Sequence, residues 1–218
     1  MVVKEIETRC SIRQFSNKKI PDLDILQIVE AGRLAPSWMN VQPWHFIITN
    51  NQKQKNLLSQ CANFQKQIKE SSHIIIVLGD FTAWNNKNFG AILSEKGLPK
   101  EGIDHILSDK GYNPAKNTEE ILLARTMEQC SYAISFMDLQ AESLGISACI
   151  IGAFANELTG FNPELKNAVR KEFNIPKGMI IAGMLALGYR KDGVKTPEKK
   201  RKAFESVVSF EKYGTERI

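Results

Sequence analysis

Three groups of polar side chains in this sequence have the types and spacing that chemistry needs. Near the N-terminus, Arg9, Ser11 and Arg13 alternate with Cys10 and Ile12. In an extended segment successive side chains point to opposite sides, so the three polar ones share a face. Two guanidinium forks flanking a hydroxyl form a receptor for a dianionic phosphate, because each fork can donate in parallel to two oxygens. The second group is the run Ala35-Pro36-Ser37-Trp38-Met39-Asn40-Val41-Gln42-Pro43-Trp44. Pro36 and Pro43 stiffen a loop carrying Ser37, Asn40 and Gln42, which can offer fixed hydrogen-bonding groups to the edge of an aromatic heterocycle. A turn with core tryptophans would explain the prolines and Trp44 but not the density of amides. The third group is the basic run KTPEKKRK, Lys195 to Lys202, with Lys199, Lys200 and Arg201 at its heart. It reads either as a solvated loop or as a further phosphate partner.

Other chemistries lack their residues. No glycine-rich G-x-G-x-x-G or G-x-x-x-x-G-K-[ST] nucleotide loop occurs, and no G-x-S-x-G nucleophile elbow. Cys10, Cys61, Cys130 and Cys149 are scattered without a C-x-x-C pair, and only His45, His73 and His105 could join them. No compact zinc or iron–sulfur ligand set follows, so the cysteines are expected to be reduced and near the core, with no metal. The chain of 218 residues is 43% hydrophobic and 24% charged, an ordinary composition for one soluble domain. No early apolar stretch resembles a signal peptide, and none approaches the roughly 20 apolar residues of a membrane span, so a cytoplasmic protein is expected. A net charge of +5 suits an anionic small ligand. The basic run lacks interleaved aromatics, and nucleic acid is not expected as a partner.

The elements that must position these groups are legible from periodicity. Residues 2–8 suit a short helix. A second helix follows Pro21 or Asp22, with a stripe at Leu23, Leu26, Ile28, Val29 and Leu34 and Asp22 placed to cap it. Ala35-Pro36-Ser37 ends it. Trp44 to Thr49 reads as a strand, Lys53 to Glu70 as a helix, and the continuous apolar run Ile74 to Leu78 as a central buried strand. Residues 80–120 are polar and punctuated by glycine and proline, with two short helical pieces at most, which suggests a lid or insertion over a site. Ile121 to Leu144 is a long helix ended by Gly145, Ile146 to Phe154 a strand running into a glycine turn, Pro163 to Phe173 a helix, and Met179 to Tyr189 a last core strand. Helices and strands mix without strict alternation, which favours an α+β class with a sheet covered by helices.

Taken in order, these segments resemble the FMN-dependent nitroreductase family. Its R-x-S-x-R-x-F motif is matched at Arg9, Ser11, Arg13 and Phe15, and its A-P-S-x-x-N-x-Q-P-W loop from Ala35 to Trp44. Leu144-Gly145 and Ile151-Gly152-Ala153-Phe154 match the long helix and the strand ending in a glycine turn, Ala186 to Tyr189 matches A-L-G-Y, and Lys199 with Arg201 matches a terminal K-x-R. The resemblance covers nearly the whole chain outside residues 80–120. It implies a single nitroreductase-like domain over residues 1–218, with a central mixed, mainly antiparallel sheet covered by helices and completed by a C-terminal strand from the partner subunit. Arg9, Ser11 and Arg13, with Cys10 among them, would bind the FMN phosphate, and Lys199 and Arg201 would complete that site. Pro36, Ser37, Trp38, Asn40 and Gln42 would line the flavin from the other subunit. Gln65, or else Asn63, would reach its ribityl or pyrimidine edge, and the turn Ile150, Ile151, Gly152 and Ala153 would lie against its ring.

The sequence departs from the family at three points. Trp38 stands where many relatives carry a small residue, Cys10 replaces a more polar one, and Ile150-Ile151-Gly152 lacks an acidic residue that some relatives have. The expected partners are a second copy of the chain, NADH or NADPH as transient hydride donor, and a nitroaromatic, quinone or similar small acceptor. Donor and acceptor would use one pocket in turn, giving ping-pong kinetics, and no side chain is assigned a catalytic role. The alternatives are a non-redox or biosynthetic protein on the FMN fold, a reductive dehalogenase on the same fold, and a basic-patch interaction protein.

Overall fold

A computed structural model describes residues 1–215. Its α+β architecture is a four-stranded sheet, every strand pair antiparallel, with helices on both faces. The elements are α1 (Lys4–Thr8), α2 (Asp22–Arg33), β1 (Trp44–Thr49), α3 (Gln52–Cys61), α4 (Lys66–Glu70), β2 (His73–Asp80), α5 (Asn86–Glu95), α6 (Lys100–Ser108), α7 (Glu119–Ser143), β3 (Ser147–Ile151), α8 (Pro163–Glu172) and β4 (Met179–Gly188). The strand order is β1-β2-β4-β3. Among the described residues, parallel pairing enters only as an isolated bridge between Ser11 and Ala148 on the free side of β3.

The apolar run of β2 follows from its place in the sheet. Ile74, Ile76 and Leu78 face a core shared with Leu58 and Cys61 of α3 and Val169 of α8. Ile75 and Val77 face a second core shared with Ile25 and Ile28 of α2 and Cys130, Ile134 and Met137 of α7. A strand buried on both faces has no polar side to alternate, so it reads as a continuous hydrophobic run. In β4, Ile181 and Met184 lie in the first core while Ala182 and Leu185 lie in the second. The register shift opposite Val77 and Leu78 absorbs the extra residue that this requires.

Helix α7 is the backbone of the second core and packs against α2. The two approach closely at Gly32, where a Cβ would lie 2.8 Å from Met137 Cγ, so nothing larger than glycine fits without displacing that side chain. At its C-terminus Gly145 has φ +69. Ile146 N–H donates to Ala141 O at 2.9 Å and Gly145 N–H to Glu142 O at 2.9 Å, the paired bonds of a Schellman ending.

The structure differs from the sequence expectation in three places. Asp22 is the first residue of α2 and Pro21 stands at the N-cap, so no side chain closes that end. The helix expected over Lys53 to Glu70 is broken between α3 and α4, because Asn63 (φ 53) and Phe64 (φ 56) turn the chain through the left-handed region. The strand expected to reach Phe154 stops at Ile151. Residues 81–116 hold the two short helices expected there, α5 and α6, with short 3-10 turns, and Trp84, Phe89 and Leu93 are fully enclosed in a core that also takes in Val41.

Candidate functional site

After α1 the chain runs extended beside β3, held by Ile12 N–H to Ala148 O at 3.0 Å. Cys10 (7% exposed), Ile12 (2%) and Phe15 (5%) enter the core. Arg9 and Ser11 are half-buried and Arg13 is exposed, on the side facing away from that core. The alternation expected from sequence therefore holds, and its cause is the apolar interior beneath Cys10 and Ile12.

These residues form one wall of an open cavity of about 320 Å³, and the other wall is Pro197 to Arg201. The ends of the chain are tied directly: Lys199 Nζ donates to Arg9 O at 3.0 Å and also to Glu7 O. Arg9, Cys10, Ser11, Arg13, Lys199, Lys200 and Arg201 thus surround a single space, with Glu198 its one acidic lining residue. Cys10 contributes to the floor of the cavity while its side chain belongs to the core. Beneath this wall, Arg9 Nε lies 2.8 Å from Asp138 Oδ2 on α7, in a contact that is Coulombic rather than a directed hydrogen bond. Burial pushes the Asp138 carboxyl above the usual carboxylate range, and the Arg9 charge opposes that rise. Asp138 was missed from sequence, although an acidic residue within the buried stripe Ile134, Met137 and Ala141 was a readable signal.

The second group gathers elsewhere in the chain. Trp38, Met39 and Asn40 form a 3-10 turn, and Met39 (φ 46), Asn40 (φ 61) and Gln42 (φ 48) all adopt left-handed backbone. So many non-glycine residues in that region mark a strained loop that its surroundings must hold. Those holds are visible: Gln42 N–H donates to Ser37 Oγ at 2.9 Å, Trp38 N–H to Gln129 Oε1 at 2.7 Å, and Trp38 Nε1–H to Tyr112 O at 3.0 Å. Gln42 Nε2 also donates to Asn40 O at 3.1 Å. Much of the hydrogen-bonding capacity expected to serve a ligand therefore fixes the loop itself. Trp38 lines a second cavity, of about 300 Å³, with Tyr112, Arg125, Gln129 and Tyr132. Within one chain, the Pro36–Gln42 loop and the Arg9–Arg201 cavity are not brought together.

Two further sets of expected site residues, Gln65 and the Ile150–Ala153 turn, lie in contact. Gln65 Nε2 donates to Ala153 O at 3.1 Å, which ties the start of α4 to the turn after β3. Gln67, which sequence reasoning passed over, is buried and donates to Gln65 Oε1 at 2.6 Å. In the turn itself Ile151 is buried (2%), while Ile150 (41%), Gly152 and Ala153 are exposed. A Cβ on Gly152 would meet nothing within 4 Å, so the turn presents an open backbone face. Asn63, the alternative to Gln65, is exposed on the left-handed turn before α4.

The sequence profile of the nitroreductase family matches residues 6–189. A relative from Archaeoglobus fulgidus, provisionally named an NADH dehydrogenase/NAD(P)H nitroreductase, is 30% identical over 190 residues, covering 87% of this chain and 86% of its own. An oxygen-insensitive NADPH nitroreductase from Helicobacter acinonychis is 27% identical over 172 residues, with 77% and 76% covered. Among solved structures, a provisionally named nitroreductase from Exiguobacterium sibiricum in complex with FMN superimposes with a TM-score of 0.74 at 24% identity, over 95% of both chains. A nitroreductase family protein from Streptococcus pneumoniae superimposes with a TM-score of 0.76 at 17% identity, over 95% of this chain and 98% of that one. The chain belongs to the nitroreductase family, and that membership makes it an oxidoreductase.

Proposed function

We propose that this protein is an FMN-dependent NAD(P)H oxidoreductase that reduces nitroaromatics, quinones or similar small acceptors. The observation that carries the reading is the cavity in which Arg9, Ser11 and Arg13 meet Lys199, Lys200 and Arg201. Segments some 190 residues apart in the chain are joined there by the Lys199–Arg9 bond. The donor set fits a phosphate dianion: guanidinium forks give paired hydrogen bonds, ammonium groups add charge, and a hydroxyl can donate as well. FMN stands in the Exiguobacterium sibiricum structure on the same fold, and nicotinamide donors stand in the names of the relatives.

Asp138 and Lys199 would steady Arg9, so that its guanidinium meets the phosphate with little orientation left to lose. The Gly152–Ala153 turn, held by Gln65, would offer its open backbone to the heterocycle. When bound, the flavin would supply the hydride chemistry that no side chain here can perform. Donor and acceptor would occupy the same space in turn, so initial-rate data plotted as double reciprocals should give parallel lines.

A homodimer is part of the reading. Leu23, Leu26, Val29, Leu34 and Phe46 line an apolar groove on the outer side of α2, beside the unpaired edge of β1. Phe204 and Val207 of the C-terminal tail are exposed on their own chain. An apolar tail and an apolar groove on one molecule suit a reciprocal two-fold exchange, with the tail added to the partner's sheet. A cytoplasmic setting is proposed with it, and no helix among the described residues is long and apolar enough to cross a membrane.

The deciding experiment is an anaerobic absorption spectrum of the purified protein before and after addition of NADH or NADPH. Flavin bands that bleach with either donor support the reading. Bands that persist point to the non-redox use of the flavin, and a colourless protein that FMN does not reconstitute overturns it.

A further inference from the structure

A second cationic cavity, of about 540 Å³, lies between the segment Ser16–Lys19, the helices α3 and α4, and the start of β2. It shares no lining residue with the cavity of Arg9 and Arg201. Lys18, Lys19, Lys55 and Lys69 all line it, with His73 among them and Glu70 as the one carboxylate. Among the described residues, none of these lysines pairs with a carboxylate. Lys18 Nζ lies 4.2 Å from the centre of the Tyr189 ring and Lys69 Nζ 5.8 Å from that of Phe64, contacts that place the ammonium groups without neutralising them.

Lys55 is the unusual member. It is only 6% exposed, yet among the described residues its Nζ has a single hydrogen-bond partner, Ser71 O at 2.6 Å, at the end of α4. An ammonium carries three donors, so that bond accounts for part of its capacity only. Burial and then the Lys19 charge hold the Lys55 ammonium below its ordinary range. His73 (4% exposed) is fixed by Ser72 Oγ at 3.0 Å from Nδ1 and Asn50 Nδ2 at 3.4 Å from Nε2. Burial lowers its pKa, the charges of Lys55 and Lys19 lower it further, and Asp22, 3.8 Å from Nε2, opposes them. Like charges gathered around a part-buried space raise the energy of the empty fold, and an anion placed among them removes that cost.

We propose that this cavity binds a phosphate group, held by Lys19, Lys55 and Lys69 and flanked by His73. The space is larger than a lone phosphate fills, and the amides of Asn17, Asn50 and Gln52 also line it. That lining suits a phosphomonoester with a hydroxyl-rich body better than one with an aromatic body. The site is independent of the proposed flavin chemistry.

The test is an NMR titration of the purified protein at pH 7, with inorganic phosphate in one arm and ribose 5-phosphate in the other, at constant ionic strength. The chain has only three histidines, so His73 can be assigned by comparison with a His73→Gln variant. The expected result is a saturable movement of the His73 imidazole and a rise in its pKa, with His45 and His105 unmoved. Tighter binding of ribose 5-phosphate identifies an ester as the ligand; equal or weaker binding identifies the free ion. The double variant Lys19→Gln, Lys69→Gln changes only exposed side chains and should weaken the apparent affinity by about tenfold or more. Its unmoved His45 and His105 signals report that it folds. An absent or non-saturable shift in both arms, a shift reproduced by sodium chloride, or an affinity unchanged in the double variant overturns the proposal.

Discussion

Arg9 is shared between a carboxylate inside the fold and an open cavity outside it, whereas Arg13 faces the cavity from an exposed position. The difference separates binding from folding at the scale of single residues. Arg13→Ala removes a charged donor without opening the core, so it should leave thermal stability nearly unchanged. It should weaken FMN binding by about tenfold or more, the usual cost of losing a charge-assisted hydrogen bond. Quenching of flavin fluorescence on titration measures this, and an unchanged affinity would remove Arg13 from the site. The thiols make the opposite case. Cys10, Cys61, Cys130 and Cys149 are all buried, and burial alone pushes Cys130 up to about 12. Only the thiolate reacts readily, so at pH 8 the native protein should react slowly with a disulfide reagent and release its full thiol count only on unfolding. Fast labelling of the native chain would contradict this burial.

Among the elements, α7 shows how local chemistry fixes global placement. Its Schellman ending turns the chain from the helix into β3, and β3 then carries the Ile150–Ala153 turn toward Gln65. Gly145 (φ +69) is essential to that turn because a side chain there meets the steric cost of left-handed backbone. Gly145→Ala should cost about 1–2 kcal/mol and lower Tm by about 2–8 °C, as read by calorimetry. A variant as stable as the parent would show that the ending relaxes at no cost. The Pro36–Gln42 loop belongs to the same scale. Its prolines announced a rigid turn, but the left-handed residues 39, 40 and 42 carry no glycine to signal them. Gln129 and Tyr112 hold the loop from remote elements, and such holds exist only once the elements are packed.

For the molecule as a whole, the decisive event is the meeting of its two ends. The basic run 195–202 is largely solvated, and only the Lys199 bonds and the shared cavity connect it to Arg9 and Arg13. Truncation after Arg201 keeps those residues and removes Phe204 and Val207, so on the proposed exchange it should shift the sedimentation profile from dimer toward monomer. A truncated chain that remains a stable dimer with bound flavin would rule out the wrapped tail. The strands, the long helix and the three polar motifs were all legible in the sequence, because burial on both faces and steric punctuation write themselves into residue order. The alternation of Arg9, Ser11 and Arg13 was legible for the same reason, since it mirrors the core under Cys10 and Ile12. Tertiary structure alone decided the rest: the packing of Val41 against residues 83–107, the ion pair of Asp138 with Arg9, the junction of Gln65 with Ala153, and the lysines around His73. Each of those depends on contacts between residues far apart in the chain, and local propensity carries no record of which distant segments will meet.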